Sequence, residues 1–259
     1  MWSNQYIVVG DRFSGFCAAN SEIVRPESSI VEKIVSLPLP HHPVDLIIEQ
    51  GADFSNIAAA VREKDPEGRS FRAVPTRRYP RAVKRQAHKN NCENILVSYP
   101  VQLTDTRFAL EMVLDRSGEM FLDHMTGCHI QGMVLIEAAR QSFLAVTEEY
   151  YLRDAEDDYY FVIKGINSRF LSFVFPLHTV IDYEVLSYHE KGGRHAFDIT
   201  VRILQAEEVC AEFDISFTAF PAAVISSKEM EKAGQAVMRT LSASGPLFSA
   251  SKSPAIAAE

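Results

Sequence analysis

Short apolar runs alternate with helically spaced segments over the first quarter of the chain. QYIVV (5–9) and VDLIIE (44–49) are rich in Val and Ile and read as strands. ESSIVEKIVS (27–36) and DFSNIAAAVREK (53–64) repeat their apolar residues at helical intervals, with Asp53 placed to cap the second helix. Residues 1–66 are therefore expected to form a small β-α-β-α module that packs on the main domain. Neither strand is followed by the glycine-rich loop that cradles a phosphate.

From Ile95 the pattern changes to long strands around one apolar helix. ILVSYPVQL and TRFALEMVL read as strands, and DRSGE (115–119) as a turn. Residues 132–151 form one helix, followed by an acidic spacer and then three alternating stretches over 159–176, 178–190 and 194–221. Gly192-Gly193 supplies a hairpin turn and Glu207-Glu208 another. Residues 222–259 predict a short helix at 227–241 and a tail of disordered composition. One helix facing several antiparallel strands is an α+β arrangement in which a curved sheet wraps the helix.

Within that helix, GMVLIEAARQSFLAV, apolar residues occupy nearly every side, so the helix is expected to be surrounded by protein. Glu137, Arg140 and Gln141 interrupt the run three and four positions apart, which puts them on one side. A buried ion pair is a poor source of stability, because desolvation commonly cancels the Coulomb gain. The pair is therefore read as functional.

Composition narrows the class further. The 259 residues are 47% hydrophobic and 23% charged, with a net charge of -8, which argues against a nucleic-acid binder. Four cysteines without CxxC spacing, no secretory-type leader and no apolar run of membrane-spanning length point to a cytoplasmic protein with reduced thiols. The exception to the acidic balance is a Pro-containing basic stretch over 65–92, read as a linker centred on 67–83. It would also suit an acidic partner such as an acyl carrier protein, through complementary charge.

The residues DHMTGCHIQGMVLIEAARQ resemble the signature DHxxxHxxGMxLxEAARQ of the A-factor biosynthesis hotdog family, the synthases of bacterial γ-butyrolactone signals. Asp123, His124, Gly132, Met133, Leu135, Glu137, Ala138, Ala139, Arg140 and Gln141 match it, and His129 stands one position later than the pattern's second histidine. The segment AHKNNCENILVSYP resembles the family's strand-opening stretch, in which a His-Lys pair precedes an apolar strand. The resemblance spans about residues 84–221 and implies a hotdog fold, a long central helix wrapped by a curved antiparallel sheet. The family's γ-butyrolactone type joins two hotdog halves in one chain, whereas a second EAARQ is absent here, so pairing with another copy as a homodimer is expected.

The resemblance further implies transfer of a β-ketoacyl group from a carrier-protein or coenzyme A thioester to the hydroxyl of dihydroxyacetone phosphate or a similar phosphorylated acceptor, with no cofactor. Glu137, with His124, would remove the hydroxyl proton, on the premise that shielding from water raises the carboxyl pKa. Arg140 would hold the phosphate or orient Glu137. Gly132 and Met133 would offer helix N-terminal N–H groups to the thioester carbonyl, with Asp123, His129 and Gln141 lining the substrate. Alternatives are a β-hydroxyacyl thioester dehydratase or thioesterase using the same residues, and a non-catalytic acyl-binding protein. A zinc site built from Asp123, His124, Cys128 and His129 matches no standard spacing, and Cys128 has no evident activating partner as a nucleophile.

Overall fold

The computed structural model describes residues 2–121, 127–155 and 158–242. Asp123 and His124 lie outside the described residues.

The first run of elements is β1 (Gln5–Val9), α1 (Ser14–Ala19), β2 (Val24–Pro26), α2 (Glu27–Ser36), β3 (Val44–Ile48), α3 (Phe54–Lys64) and β4 (Phe71–Pro75). The four strands form one parallel sheet in the order β2-β1-β3-β4. Alternate residues of β1 face opposite layers. Tyr6 and Val8 join Ile30, Ile34, Leu46 and Ile57 under α2 and α3, while Val9 joins the core of the second domain. A strand covered on both sides needs apolar residues at every position, which is why QYIVV lacks alternation. Asp53 caps α3 as expected, accepting from the N–H groups of Ser55 and Asn56. The sheet is larger than the sequence suggested: β4 falls inside the stretch read as the 67–83 linker, pairing with β3 from Phe71↔Val44 to Pro75↔Ile48. Its proline sits at an edge, where no ladder N–H is required of it.

The second run is α4 (Lys84–Ala87), β5 (Val101–Gln102), β6 (Arg107–Glu111), α5 (Gly132–Tyr150), β7 (Tyr159–Phe170), β8 (Val180–Lys191), β9 (Arg194–Gln205), β10 (Glu208–Pro221) and α6 (Ala222–Ser242). Strands β5 to β10 make a six-stranded antiparallel sheet, order β5-β6-β8-β9-β10-β7. Register shifts at Val185/Ser187, Val209/Ala211 and Ser216/Phe217 let it curl around α5. Gly192 and Gly193, with φ of 59° and 72°, make the β8–β9 turn. The β9–β10 turn uses Ala206 and Glu207 in the same left-handed region, one residue earlier than expected.

Three boundaries depart from expectation. The strand foreseen from Ile95 to Leu103 is broken: Val97 bridges Met112, and only Val101–Gln102 pairs with β6, because Pro100 has no N–H for the ladder. The stretch 159–176 stops as a strand at Phe170, and residues 171–179 form a loop. The short helix expected at 227–241 is α6, which follows β10 directly and has no buried residue.

Helix α5 sits on the concave face of the sheet. Phe143 stacks on Phe217 with centroids 4.3 Å apart, and Phe217 stacks on Phe197 at 4.9 Å. The parallel-sheet module docks against this core through Gln50, whose side chain donates to Met112 O and accepts from Leu114 N, both at 2.8 Å.

Candidate functional site

Glu137 and Arg140 lie three residues apart, one turn along α5, and meet as a two-pronged ion pair. Arg140 Nε donates to Glu137 Oε2 at 2.7 Å and Nη2 to Oε1 at 2.8 Å. Two further donors reach Oε1: Lys89 Nζ at 2.8 Å and Gln141 Nε2 at 3.0 Å. Burial pushes the Glu137 carboxyl pKa up, but the bonds from Arg140, Lys89 and Gln141 outweigh it and bring the value down to about 2. The raised pKa expected of a shielded carboxylate is therefore corrected: Glu137 is a firmly held anion. The clamp is also less enclosed than a core ion pair. The side chains of Lys89 and Arg140 keep 24% and 29% of their surface in solvent, enough for either to swing to another anion.

Gln141 fixes the clamp to the fold. Fully buried, it accepts from Leu96 N at 2.8 Å and donates to Asn94 O at 2.9 Å as well as to Glu137. Its amide thereby satisfies main-chain groups where the 95–103 strand is interrupted, so one side chain positions the carboxylate and supports irregular backbone.

Lys89 was not among the residues singled out from sequence. Its signal was present in the His-Lys pair of AHKNNC, yet only the fold shows its partner. Helix α4 ends at His88 in a left-handed conformation (φ 50°), and the residue after it reaches across to α5. His88 Nε2 itself meets Glu148 Oε1 at 2.9 Å, further along α5. Lys84, Arg85, His88 and Lys89 line a groove of about 480 Å³ beside the clamp.

His129 and Gly132 sit elsewhere. With Leu135 and residues 170–174 they line a largely apolar cavity of about 520 Å³ at the start of α5. A Cβ on Gly132 would come within 3.0 Å of the Phe170 ring, so glycine lets this wall close. Gln131, the N-cap, provides no side-chain bond to the first turn of the helix. Met133 is 65% exposed, contrary to a helix enclosed on every side. Glu137 does not line this cavity: five residues beyond Gly132, it points roughly 140° around the helix. Among the described residues the structure thus gathers Glu137, Arg140 and Gln141 at one place and His129 and Gly132 at another.

The A-factor biosynthesis hotdog domain (AfsA) matches residues 72–221. Among solved structures, the dehydratase heterocomplex ApeI:P from Xenorhabdus doucetiae is similar at 18% identity and a TM-score of 0.45, covering 59% of this chain and 99% of that one. A putative thioesterase from Shewanella oneidensis aligns at 16% identity and TM-score 0.36 over 48% of this chain and 83% of its own. A mutant thioesterase from Pseudomonas aeruginosa aligns at 17% and 0.37 over 51% and 87%. The comparison with curated proteins finds no match. A match over more than half of the chain, taking in the whole antiparallel sheet and its helix, shows that the chain belongs to the A-factor biosynthesis hotdog domain family.

Proposed function

We propose that this protein is an acyltransferase that moves an acyl group, of the β-ketoacyl type, from a carrier-protein or coenzyme A thioester to the hydroxyl of a small phosphorylated acceptor such as dihydroxyacetone phosphate. The observation that carries this reading is the charge count at the clamp: two partly exposed cations, Lys89 and Arg140, hold one carboxylate, leaving a net positive charge that would attract an anion. A carboxyl with a pKa of about 2 is too weak a base for the alternative dehydratase, whose acid-base group works best near neutrality. An acceptor phosphate that draws Lys89 and Arg140 away removes what lowers that pKa, so the carboxylate becomes a competent base only with acceptor in place. The acceptor oxygen then attacks the thioester carbonyl carbon and its proton passes to Glu137. The C–S bond breaks, and the thiolate leaves with that proton. His124 is retained from the sequence as a second proton carrier, and Gly132, on another side of α5 from Glu137, and Met133 as contacts for the rest of the acyl thioester rather than for the reacting carbonyl.

The cavity at Gly132 suits the acyl chain, and Lys84 and Arg85, on the groove that also holds Glu148 and Asp158, offer cations to an acidic carrier. Asp123 remains a candidate substrate contact from the sequence pattern. Product analysis of a β-ketoacyl carrier thioester incubated with dihydroxyacetone phosphate tests this reading: ester formation supports it, and water loss or free acid alone opposes it.

The cleft is completed, in this reading, by a second copy of the chain. Strand β7 is a twelve-residue sheet edge whose Tyr160, Val162, Ile163, Ile166 and Phe170 are all more than a third exposed, and Phe170 also lines the cavity. An apolar edge of that length is a pairing surface. Ile163→Lys combined with Ile166→Lys is expected to shift the protein from dimer to monomer in sedimentation velocity. An unchanged dimer would place the interface elsewhere.

A further inference from the structure

A second cavity, of about 310 Å³, lies at the carboxyl ends of β3 and β4 in the parallel module, far in sequence from the clamp. The strand order β2-β1-β3-β4 reverses direction at β1, and open parallel sheets take ligands in the crevice outside their carboxyl ends at such a reversal. Between β1 and β3 the crevice is closed, since a Cβ on Gly10 would lie 2.6 Å from Gly51 O. The open space falls one strand over, among Glu49, Thr76, Arg77, Arg81 and Arg116.

Three guanidinium groups line this one small cavity, and they are unequally matched. Arg81 pairs with Asp115 at 3.1 Å and donates Nη1 to Cys92 O at 2.7 Å, and among the described residues Arg116 makes only long side-chain contacts, of 3.9 Å, to Glu27 and Asp53. Arg77 has neither a hydrogen-bond nor an ion-pair partner among the described residues. Desolvation by the surrounding protein, first, and the charge of Arg81 lower its pKa, against the weaker pull of the Glu111 and Asp115 carboxylates. Of the three acids on the lining, Asp115 pairs with Arg81 and Asp53 lies 3.9 Å from Arg116, while burial pushes the Glu49 carboxyl at the back up to about 7, against the bond from Thr76 and the charge and backbone of His178, so near neutrality it carries less than a full negative charge.

We infer that the crevice at the ends of β3 and β4 is a second ligand site, taking a small molecule with a phosphate group held by Arg77, Arg81 and Arg116. Planar guanidiniums suit phosphate oxygens, and of the three arginines Arg81 is paired with Asp115, Arg116 is held only at 3.9 Å by Glu27 and Asp53, and Arg77 is left to meet the phosphate's negative charge. The site is placed to affect the acyl cavity. Gln50, on its wall, donates its main-chain N–H to Pro176 O at 3.3 Å, in the loop whose earlier residues line that cavity. Phe16 stacks on Phe175 of the same loop at 5.4 Å and donates its N–H to Gly127 O, just before the segment carrying His129. The module therefore holds both walls of the acyl cavity, and a ligand that stiffens its carboxyl edge stiffens them too.

The test uses the full chain with Lys89→Met and Arg140→Met, which removes the clamp's own cations, titrated with inorganic phosphate in a calorimeter. Saturable binding in this background, weakened at least tenfold by adding Arg77→Met, is the expected result. Hydrogen exchange is expected to slow over 48–55 and 171–176 on phosphate addition. An unchanged melting temperature shows that the replacement of Arg77 spares the fold. No saturable binding, binding indifferent to Arg77→Met, or binding of acetate in place of phosphate would overturn the assignment. These outcomes are independent of the clamp's role in acyl transfer.

Discussion

Glu137→Gln is expected to reduce acyl transfer by about 10²–10⁴-fold, the usual contribution of a positioned acid-base group, while the protein folds and assembles as before. The amide matches the carboxylate in shape but cannot take the acceptor's proton, and it no longer attracts Lys89 and Arg140 as an anion does. Arg140→Ala is expected to act through acceptor binding, raising KM for the phosphorylated acceptor more than that for the thioester. A loss in Glu137→Gln with an unchanged melting curve separates chemistry from stability, and steady-state rates measured with saturating acceptor make the comparison. Full activity in Glu137→Gln would remove the carboxylate from the mechanism.

Phe143→Ala carries the largest expected structural effect. The ring is 1% exposed and lies face to face with Phe217, joining α5 to β10, next to the β7 edge of the antiparallel sheet. Removing a buried aromatic side chain of this kind costs about 3–5 kcal/mol, as lost transfer energy plus the cavity left behind, with a further contribution from the lost stacking. That is a large share of the roughly 5–15 kcal/mol by which domains are stable, so the urea midpoint should fall sharply with the slope retained. Because Phe143 lies six residues beyond Glu137 on the same helix, weaker seating of α5 also loosens the clamp, and activity should fall at temperatures below the melting transition. A midpoint within error of the parent's would mean that the helix is held chiefly by other contacts.

Much of this arrangement was legible in the chain. The apolar run broken by Glu137, Arg140 and Gln141 identified both the central helix and the polar cluster on its side, because helical spacing converts sequence separation directly into shared faces. The alternation in 194–221 was read correctly as paired strands, and Asp53 as a cap. What failed did so where long-range partners decide. Phe71–Pro75, rich in prolines and arginines nearby, looked like a linker until β3 supplied a parallel neighbour. Pro100 broke a strand whose apolar pattern ran through it. The direction of the Glu137 pKa shift was misjudged for the same reason: burial alone would raise it, but Lys89 lies 48 residues away in sequence and comes within 2.8 Å only through the turn at His88. The cavity at the module's edge left only a partial trace: Arg77 and Arg81 belong to the basic stretch 65–92, but Arg116, Glu49 and the strand ends that shape the space come from separate segments.

The central claim is that the two cations at Glu137 receive an anionic acceptor and thereby free the carboxylate to act as a base. The most direct measurement compares dihydroxyacetone phosphate with unphosphorylated dihydroxyacetone as acceptors from the same β-ketoacyl carrier thioester, following ester formation by mass spectrometry. The phosphorylated acceptor is expected to be favoured at least 100-fold in kcat/KM, and this preference to collapse in Lys89→Met with Arg140→Met. Equal use of both acceptors by the parent protein, or release of free acid with no ester, would contradict it.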